Sequence, residues 1–235
     1  TTLKANATTG WDVVLLQEVW VAKDRKTLKE CGYAFSLDLE DPRRQLDSGL
    51  LLLSRFPIEK SERLIYPLLP ESEEATETGE RFTRKSAILA KLSLPNGGSV
   101  WVANTHLVSC YNPLNDVFLD SRRAQFQDFV NFARLHAGST PLILGGDWNF
   151  GPRDRLWEEI RALTEFSEAP EGLNACTICP PNVMHARDEG KVDHLFGLAP
   201  YKASAGKVVF TDLLKIGNAE INASDHYGWE TRFGP

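Results

Sequence analysis

The chain has 235 residues, 42% hydrophobic and 25% charged, ordinary globular values that exclude a disordered, collagen-like or coiled-coil chain. Its length fits one large domain, here expected over residues 1–235. The net charge of −6 and a pI near 5.5 argue against a protein that holds nucleic acid chiefly by neutralising phosphates, and the longest apolar runs are far short of the roughly 20 residues of a membrane-spanning helix.

In chain order, Asp12 to Val19 (DVVLLQEV) is apolar and β-branched before it ends in polar residues, the pattern of a central strand covered on both faces. Gly49 to Ser54 (GLLLLS) reads the same way. Glu71 to Glu80 holds five Glu and nothing apolar larger than Ala75, which predicts a solvated loop. Ala87–Leu94 and Ser99–His106 flank Pro95-Asn96-Gly97-Gly98 and predict a hairpin. Phe126, Phe129, Val130 and Ala133 recur at i, i+3, i+4 and i+7, predicting an amphipathic helix over Ser121–His136 capped by Asp120 or Ser121. A strand over Pro141–Gly145 leads into Gly146-Asp147-Trp148-Asn149, and Asp154–Leu163 reads as a second helix carrying Leu156, Trp157, Ile160 and Leu163. Val192–Leu198 and Tyr227–Phe233 are later strands. Hairpins mixed with helices predict an α/β sandwich of two packed sheets rather than a doubly wound parallel sheet.

Acidic, amide and imidazole groups recur just past these strands: Gln17-Glu18, Thr105-His106, Asp147 with Asn149, Asp193-His194 and Asp225-His226. Strand ends on one edge of a sandwich converge, so such groups can share a cleft. Carboxylates with Asn and His are hard ligands suited to Mg²⁺ or Mn²⁺, and the chemistry they imply is phosphate-ester cleavage.

The blocks LLQE (Leu15–Glu18), SGLLLLSRFPI (Ser48–Ile58), NTHL (Asn104–Leu107), GGDWN (Gly145–Asn149), KVDHLF (Lys191–Phe196) and SDH (Ser224–His226) together resemble the endonuclease/exonuclease/phosphatase superfamily, in its order and over most of the chain. The resemblance implies a four-layer α/β sandwich, two packed mixed sheets flanked by helices, and a metal-dependent phosphoric diester hydrolase. Carried over, Glu18 binds the metal and Asp225 binds or helps fix it. Asp147 orients or deprotonates the attacking water, and Asn149 donates to a phosphoryl oxygen. His226 acts as general base or acid, its tautomer set by Asp193, and His106 stabilises developing charge or protonates the leaving oxygen.

Within the superfamily, His106 in NTHL departs from the Tyr usual in apurinic-site nucleases. The SGLLLLSRFPI block and Arg84-Lys85-Ser86-Ala87 resemble neutral sphingomyelinases, although Ser86 stands where those usually carry Gly. The expected substrate is therefore a phospholipid of the choline class. A nuclease or deadenylase on the same scaffold, or a catalytically impaired binding module, is the alternative. Peripheral membrane contact would fall to Leu64–Pro70 or Cys110–Leu114, segments that core packing also explains.

The family opens with a strand bearing an Asn well upstream of the Gln-Glu pair. Only sixteen residues precede Gln17, Asn6 is too near to serve, and Thr1 is not an initiator Met; the expectation is an N-terminally incomplete domain with an unpaired sheet edge. His194 alternates away from Asp193 and reads as packing. Trp148 reads as core, with a choline-stacking platform as the alternative. Cys176 and Cys179 read as a local disulfide or two free thiols.

Overall fold

The computed structural model describes residues 3–4, 7, 10–44, 46–69, 72–111, 116–161, 166–180, 182–185 and 190–234, which divide into two compact units after Asp147. The first unit carries β1 (Val13–Leu16), α1 (Ala22–Lys29), β2 (Phe35–Leu37), β3 (Leu51–Ser54), β4 (Ile58–Ile65), α2 (Glu73–Glu77), β5 (Ser86–Ser93), β6 (Ser99–His106), α3 (Leu119–Ala137) and β7 (Leu142–Asp147). Antiparallel pairing gives the order β1-β3-β2 in one sheet. In the other, β4, β5 and β6 pair antiparallel in sequence and β7 joins β6 in parallel.

The run of leucines at β3 explains the layering. Successive strand side chains face opposite ways, so Leu50 and Leu52 enter the seam between the sheets with Leu37, Ile88, Ala90, Leu92, Val100 and Val102. Leu51 and Leu53 meet Val19, Cys31 and Tyr33 on the outer face, where Leu28 of α1 packs. All four leucines are fully buried, each stabilising the fold by about 1.5–3 kcal/mol. On the far side α3 lays Phe126, Phe129, Val130 and Ala133 against β6 and β7. Helix, sheet, sheet and helix are the four expected layers; β1, expected as a central strand covered on both faces, is instead a half-buried edge strand among the described residues.

Two local expectations are corrected. The long helix begins at Leu119, not Ser121, and its N-cap Phe118 makes no side-chain cap. Asp116 sets the preceding turn instead, accepting from the Phe118 N–H at 3.2 Å and pairing with the buried Arg122, whose guanidinium also donates to the Val108 carbonyl. The acidic segment is not simply a solvated loop. Ser72 caps α2 by accepting from the Ala75 N–H, Ala75 is fully buried, and Glu80 is buried as well; Glu71 lies outside the described residues.

The second unit carries α4 (Arg155–Arg161), β8 (Phe166–Ser167), a 3₁₀ turn (Pro170–Asn174), β9 (Asp193–Leu198), β10 (Lys202–Val209), β11 (Leu214–Ile216), β12 (Ala219–Ile221) and β13 (Gly228–Gly234). The pairs β8–β9, β10–β13 and β11–β12 are antiparallel. Its core is aromatic: Trp148 stacks on Phe196 with centroids 5.0 Å apart, and His194 lies against Trp148 and Trp157. Trp148 is therefore core and no choline platform, and His194, whose Nε2 donates to the Phe150 carbonyl at 2.9 Å, packs as expected. Leu156 and Trp157 are buried on α4, while Leu163 lies outside the described residues. Among the described residues no helix is long and apolar enough to cross a membrane.

A buried ion pair ties the segment between β2 and β3 to β4. Asp47 receives both Arg63 guanidinium nitrogens, at 2.8 and 2.9 Å, and the Asp41 N–H at 2.7 Å. Burial pushes its carboxyl up, but these donors and Arg84 hold it below the ordinary range. A carboxyl lowered by folding contributes stability that is complete above its unfolded value, about 3.9, and is lost as pH falls through the lower native value. Asp47→Asn should cost about 3 kcal/mol in denaturant melts at pH 7, because Arg63 stays enclosed without its counter-charge. The penalty should shrink as pH falls below 4; a constant penalty would refute this account.

Candidate functional site

The first unit's polar groups gather where β1, β6 and β7 end and β5 begins. Asn104 of β6 is fully buried, and its carboxamide joins the two sheets. Its Nδ2 donates to the Leu16 carbonyl of β1 at 3.0 Å and lies 3.4 Å from that of Leu51, while its Oδ1 accepts from Gln17 Nε2 at 2.7 Å. This fixes the end of β1, after which Glu18 takes a left-handed backbone, φ 57°. A non-glycine residue held there costs on the order of 1 kcal/mol or more and is common at functional sites. The Val19 N–H then bonds the Gly49 carbonyl at 2.8 Å; a Cβ at Gly49 would come within 2.7 Å of the Trp20 ring. The outcome is an exposed Glu18 carboxylate that makes no hydrogen bond among the described residues.

Behind it Lys85 is buried, with Nζ 2.8 Å from His106 Nε2 and 3.4 Å from Glu80 Oε2. Burial pulls the ammonium below its ordinary range, against the pull of Glu80, Asp147 and Glu18. His106 Nε2 is the ring nitrogen that faces this ammonium. Asp147 Oδ2 lies 3.5 Å from the same nitrogen. Asp147 reaches this place because Gly146 has φ 130° and a Cβ there would sit 2.0 Å from the Thr105 carbonyl. Glu80 Oε1 also accepts from the Ser109 N–H and the Tyr111 hydroxyl, at 3.2 and 3.0 Å. Glu18, Trp20, Glu80, Lys85 and Tyr111 line a cleft of about 260 Å³.

In the second unit His226 Nδ1 lies 3.0 Å from Asp193 Oδ2, the geometry of an imidazole donating to a carboxylate. Burial pushes the Asp193 carboxyl up, but the His226 imidazole beside it and hydrogen bonding from His226 and Thr177 hold it below its ordinary range. The pairing leaves Nε2 as the nitrogen that exchanges a proton. Asp225 projects an exposed carboxylate next to His226, and Asn182 Nδ2 donates to the Ser224 and Asp225 carbonyls at 2.9 and 3.0 Å. Asn149, half-buried between the enclosed Trp148 and Phe150, is the second site residue in a left-handed backbone, φ 53°.

Within each unit, then, predicted residues meet: His106 with Asp147, and Asp193 with His226. Four contributors were not singled out from the sequence as site residues: Asn104, whose motif carried no role for it; Lys85, noted only as a branch marker; Glu80, read as solvated; and Thr177. Their signal is burial, which charge and spacing do not carry. As to a metal, Glu80 is committed to Lys85, Ser109 and Tyr111, whereas Glu18 and Asp225 offer exposed carboxylate oxygens, donors that fit Mg²⁺ or Mn²⁺.

Among curated relatives, the chain is 29% identical to inositol phosphosphingolipids phospholipase C of Schizosaccharomyces pombe over 192 residues, covering 78% of this chain and 44% of that protein. It is 28% identical to sphingomyelin phosphodiesterase 2 of Rattus norvegicus over 227 residues, 88% of this chain and 51% of that protein. The chain thus spans about half the length of these relatives. Among solved structures, a beta toxin variant of Staphylococcus aureus with bound magnesium ions matches with a TM-score of 0.70 at 16% identity, over 97% of this chain and 90% of that one, a likeness of fold. The model of the endonuclease/exonuclease/phosphatase family matches residues 2–197, and the chain belongs to that family.

Proposed function

We propose that this chain is a Mg²⁺- or Mn²⁺-dependent phosphodiesterase that cleaves a sphingomyelin-type choline phospholipid to phosphocholine and a lipid alcohol. The observation that carries the reading is the Asp193–His226 pair at 3.0 Å, a base with a fixed tautomer in a chain of this family. The names of the two relatives above support the lipid class.

The reading requires Glu18, His106 and Asp147 of the first unit to act with Asn149, Asp193, Asp225 and His226 of the second. Glu18 and Asp225 would hold the cation, which would supply a Lewis acid for the phosphoryl oxygens. His226 presents Nε2 to the attacking water, and Asp193 stabilises the imidazolium that forms. Asp147 orients that water, and the Asn149 carboxamide donates to a phosphoryl oxygen. As water adds to phosphorus, the bond from phosphorus to the lipid oxygen breaks; His226 takes the water's proton, an equivalent proton passes to the lipid oxygen beside His106, and the positive charge of Lys85 offsets the charge that develops in between.

A lipid surface also needs an apolar contact. The β11–β12 hairpin pairs only with itself among the described residues and leaves Leu213, Leu214 and Ile216 48%, 44% and 59% exposed. It supports peripheral membrane contact more directly than the segments singled out from the sequence. Tyr66 and Leu69 are buried beside the exposed Ile65, Pro67 and Leu68, Tyr111 of the other segment is exposed, and residues 70 and 112–115 lie outside the described residues.

The test is a panel of sphingomyelin, phosphoinositide, RNA, plasmid DNA and an aryl phosphodiester, each with Mg²⁺ and with chelator. Sphingomyelin cleavage that chelation abolishes, and that His226→Ala lowers about 10²–10⁴-fold, is expected. Cleavage of nucleic acid alone would move the chain to the nuclease branch. A Leu214→Asp, Ile216→Asp variant should lose about tenfold or more in rate on sphingomyelin vesicles and keep its rate on the soluble aryl ester. Equal losses on both would remove the hairpin from membrane contact.

A further inference from the structure

Thr177 and Asn182 frame both halves of the Asp193–His226 pair. Thr177 is fully buried. Its hydroxyl oxygen accepts from the Val192 and Asp193 N–H groups at 3.1 and 3.3 Å, where β9 begins. Its carbonyl accepts from the Tyr227 N–H at 2.8 Å, one residue past His226. Asn182 holds the Ser224 and Asp225 carbonyls on the other side of that histidine. One short stretch therefore fixes the position of the carboxylate and, independently, that of the imidazole 33 residues away.

Cys176 and Cys179 form a disulfide that closes this stretch around Thr177 and Ile178. Both cysteines are half-exposed while the two residues between them are buried, so a reductant reaches the sulfurs without the core opening. Closing so short a loop removes little chain entropy; what the bond fixes is local shape. The Ile178 N–H and carbonyl also pair with Gly190, three residues before Asp193.

We infer that Thr177 is a positioning residue for the Asp193–His226 pair and that the Cys176–Cys179 disulfide is a redox clasp on it, so that the clasped protein is the more active form. This rests on the phosphodiesterase reading above. The switching step is a thiol–disulfide exchange with a dithiol: its two sulfurs join, the Cys176–Cys179 bond breaks, and two electrons and two protons pass to the protein as two thiols. The two remaining cysteines, Cys31 and Cys110, lie outside this disulfide and do not change in this step.

The experiment uses the whole chain with Mg²⁺ and the aryl phosphodiester, oxidised and after dithiothreitol, together with Cys176→Ser/Cys179→Ser, Thr177→Val and Thr177→Ser. A second readout needs no turnover: the NMR signal of the His226 Nδ1 proton, which reports its bond to Asp193. Reduction and the double serine variant should each lower kcat about tenfold with KM little changed and broaden or shift that proton signal. The double serine variant should no longer respond to dithiol. Thr177→Val should lose both activity and signal, and Thr177→Ser, which restores the hydroxyl, should recover them. Unchanged kcat and signal on reduction would overturn the clasp, and a signal unaltered in Thr177→Val would overturn the positioning role. If no form turns over any phosphodiester, the function fails while the proton signal still decides the clasp.

Discussion

The buried carboxamide of Asn104 is the joint on which the first unit's polar end depends. A buried amide that lacks partners costs on the order of 1–3 kcal/mol per unsatisfied group, so its position is chosen by the atoms that can satisfy it. Those atoms belong to β1, to Gln17 just past it and to β3 of one sheet, while Asn104 itself sits on β6 of the other. Apolar packing in the seam brings the sheets together without specifying their register to a fraction of an ångström. The carboxamide does specify it, and Glu18, two residues beyond Leu16, inherits that precision.

Around this joint the structure accepts local cost. Lys85 is enclosed at 7% exposure, an arrangement that stands only because Glu80, Asp147 and Glu18 surround it. Glu18 and Asn149 adopt left-handed backbones that a glycine would take more easily. Leucine layers and an aromatic core offset these costs elsewhere in each unit. The distribution of strain is that of a chain built to hold polar groups in place rather than one optimised for stability.

The second unit solves the same problem with a hydroxyl and a backbone frame. Thr177 serves as acceptor for two N–H groups and as a hydrogen-bond partner that lowers the Asp193 carboxyl. Positioning by short, buried, fully used polar groups is common to both units, although one draws on strand register and the other on a closed turn.

What the sequence determined by itself was whatever depends on local periodicity and on residue type. The leucine run at β3, the i, i+3, i+4, i+7 spacing of α3 and the Asn96-Gly97 turn each carry their structure in neighbouring residues, and Glu18, His106, Asp147, Asp193 and His226 stood out as candidates because their types sit just past apolar strands. The amphipathic β4, with its alternating charges, and the short β2 and β8 left no such mark. Tertiary structure alone decided that Lys85 and Glu80 are buried, that Asn104 and Thr177 are joints, and that Cys176 and Cys179 are bonded. The reason is physical: whether a polar side chain is solvated or enclosed depends on atoms dozens of residues away, and spacing along the chain does not encode them.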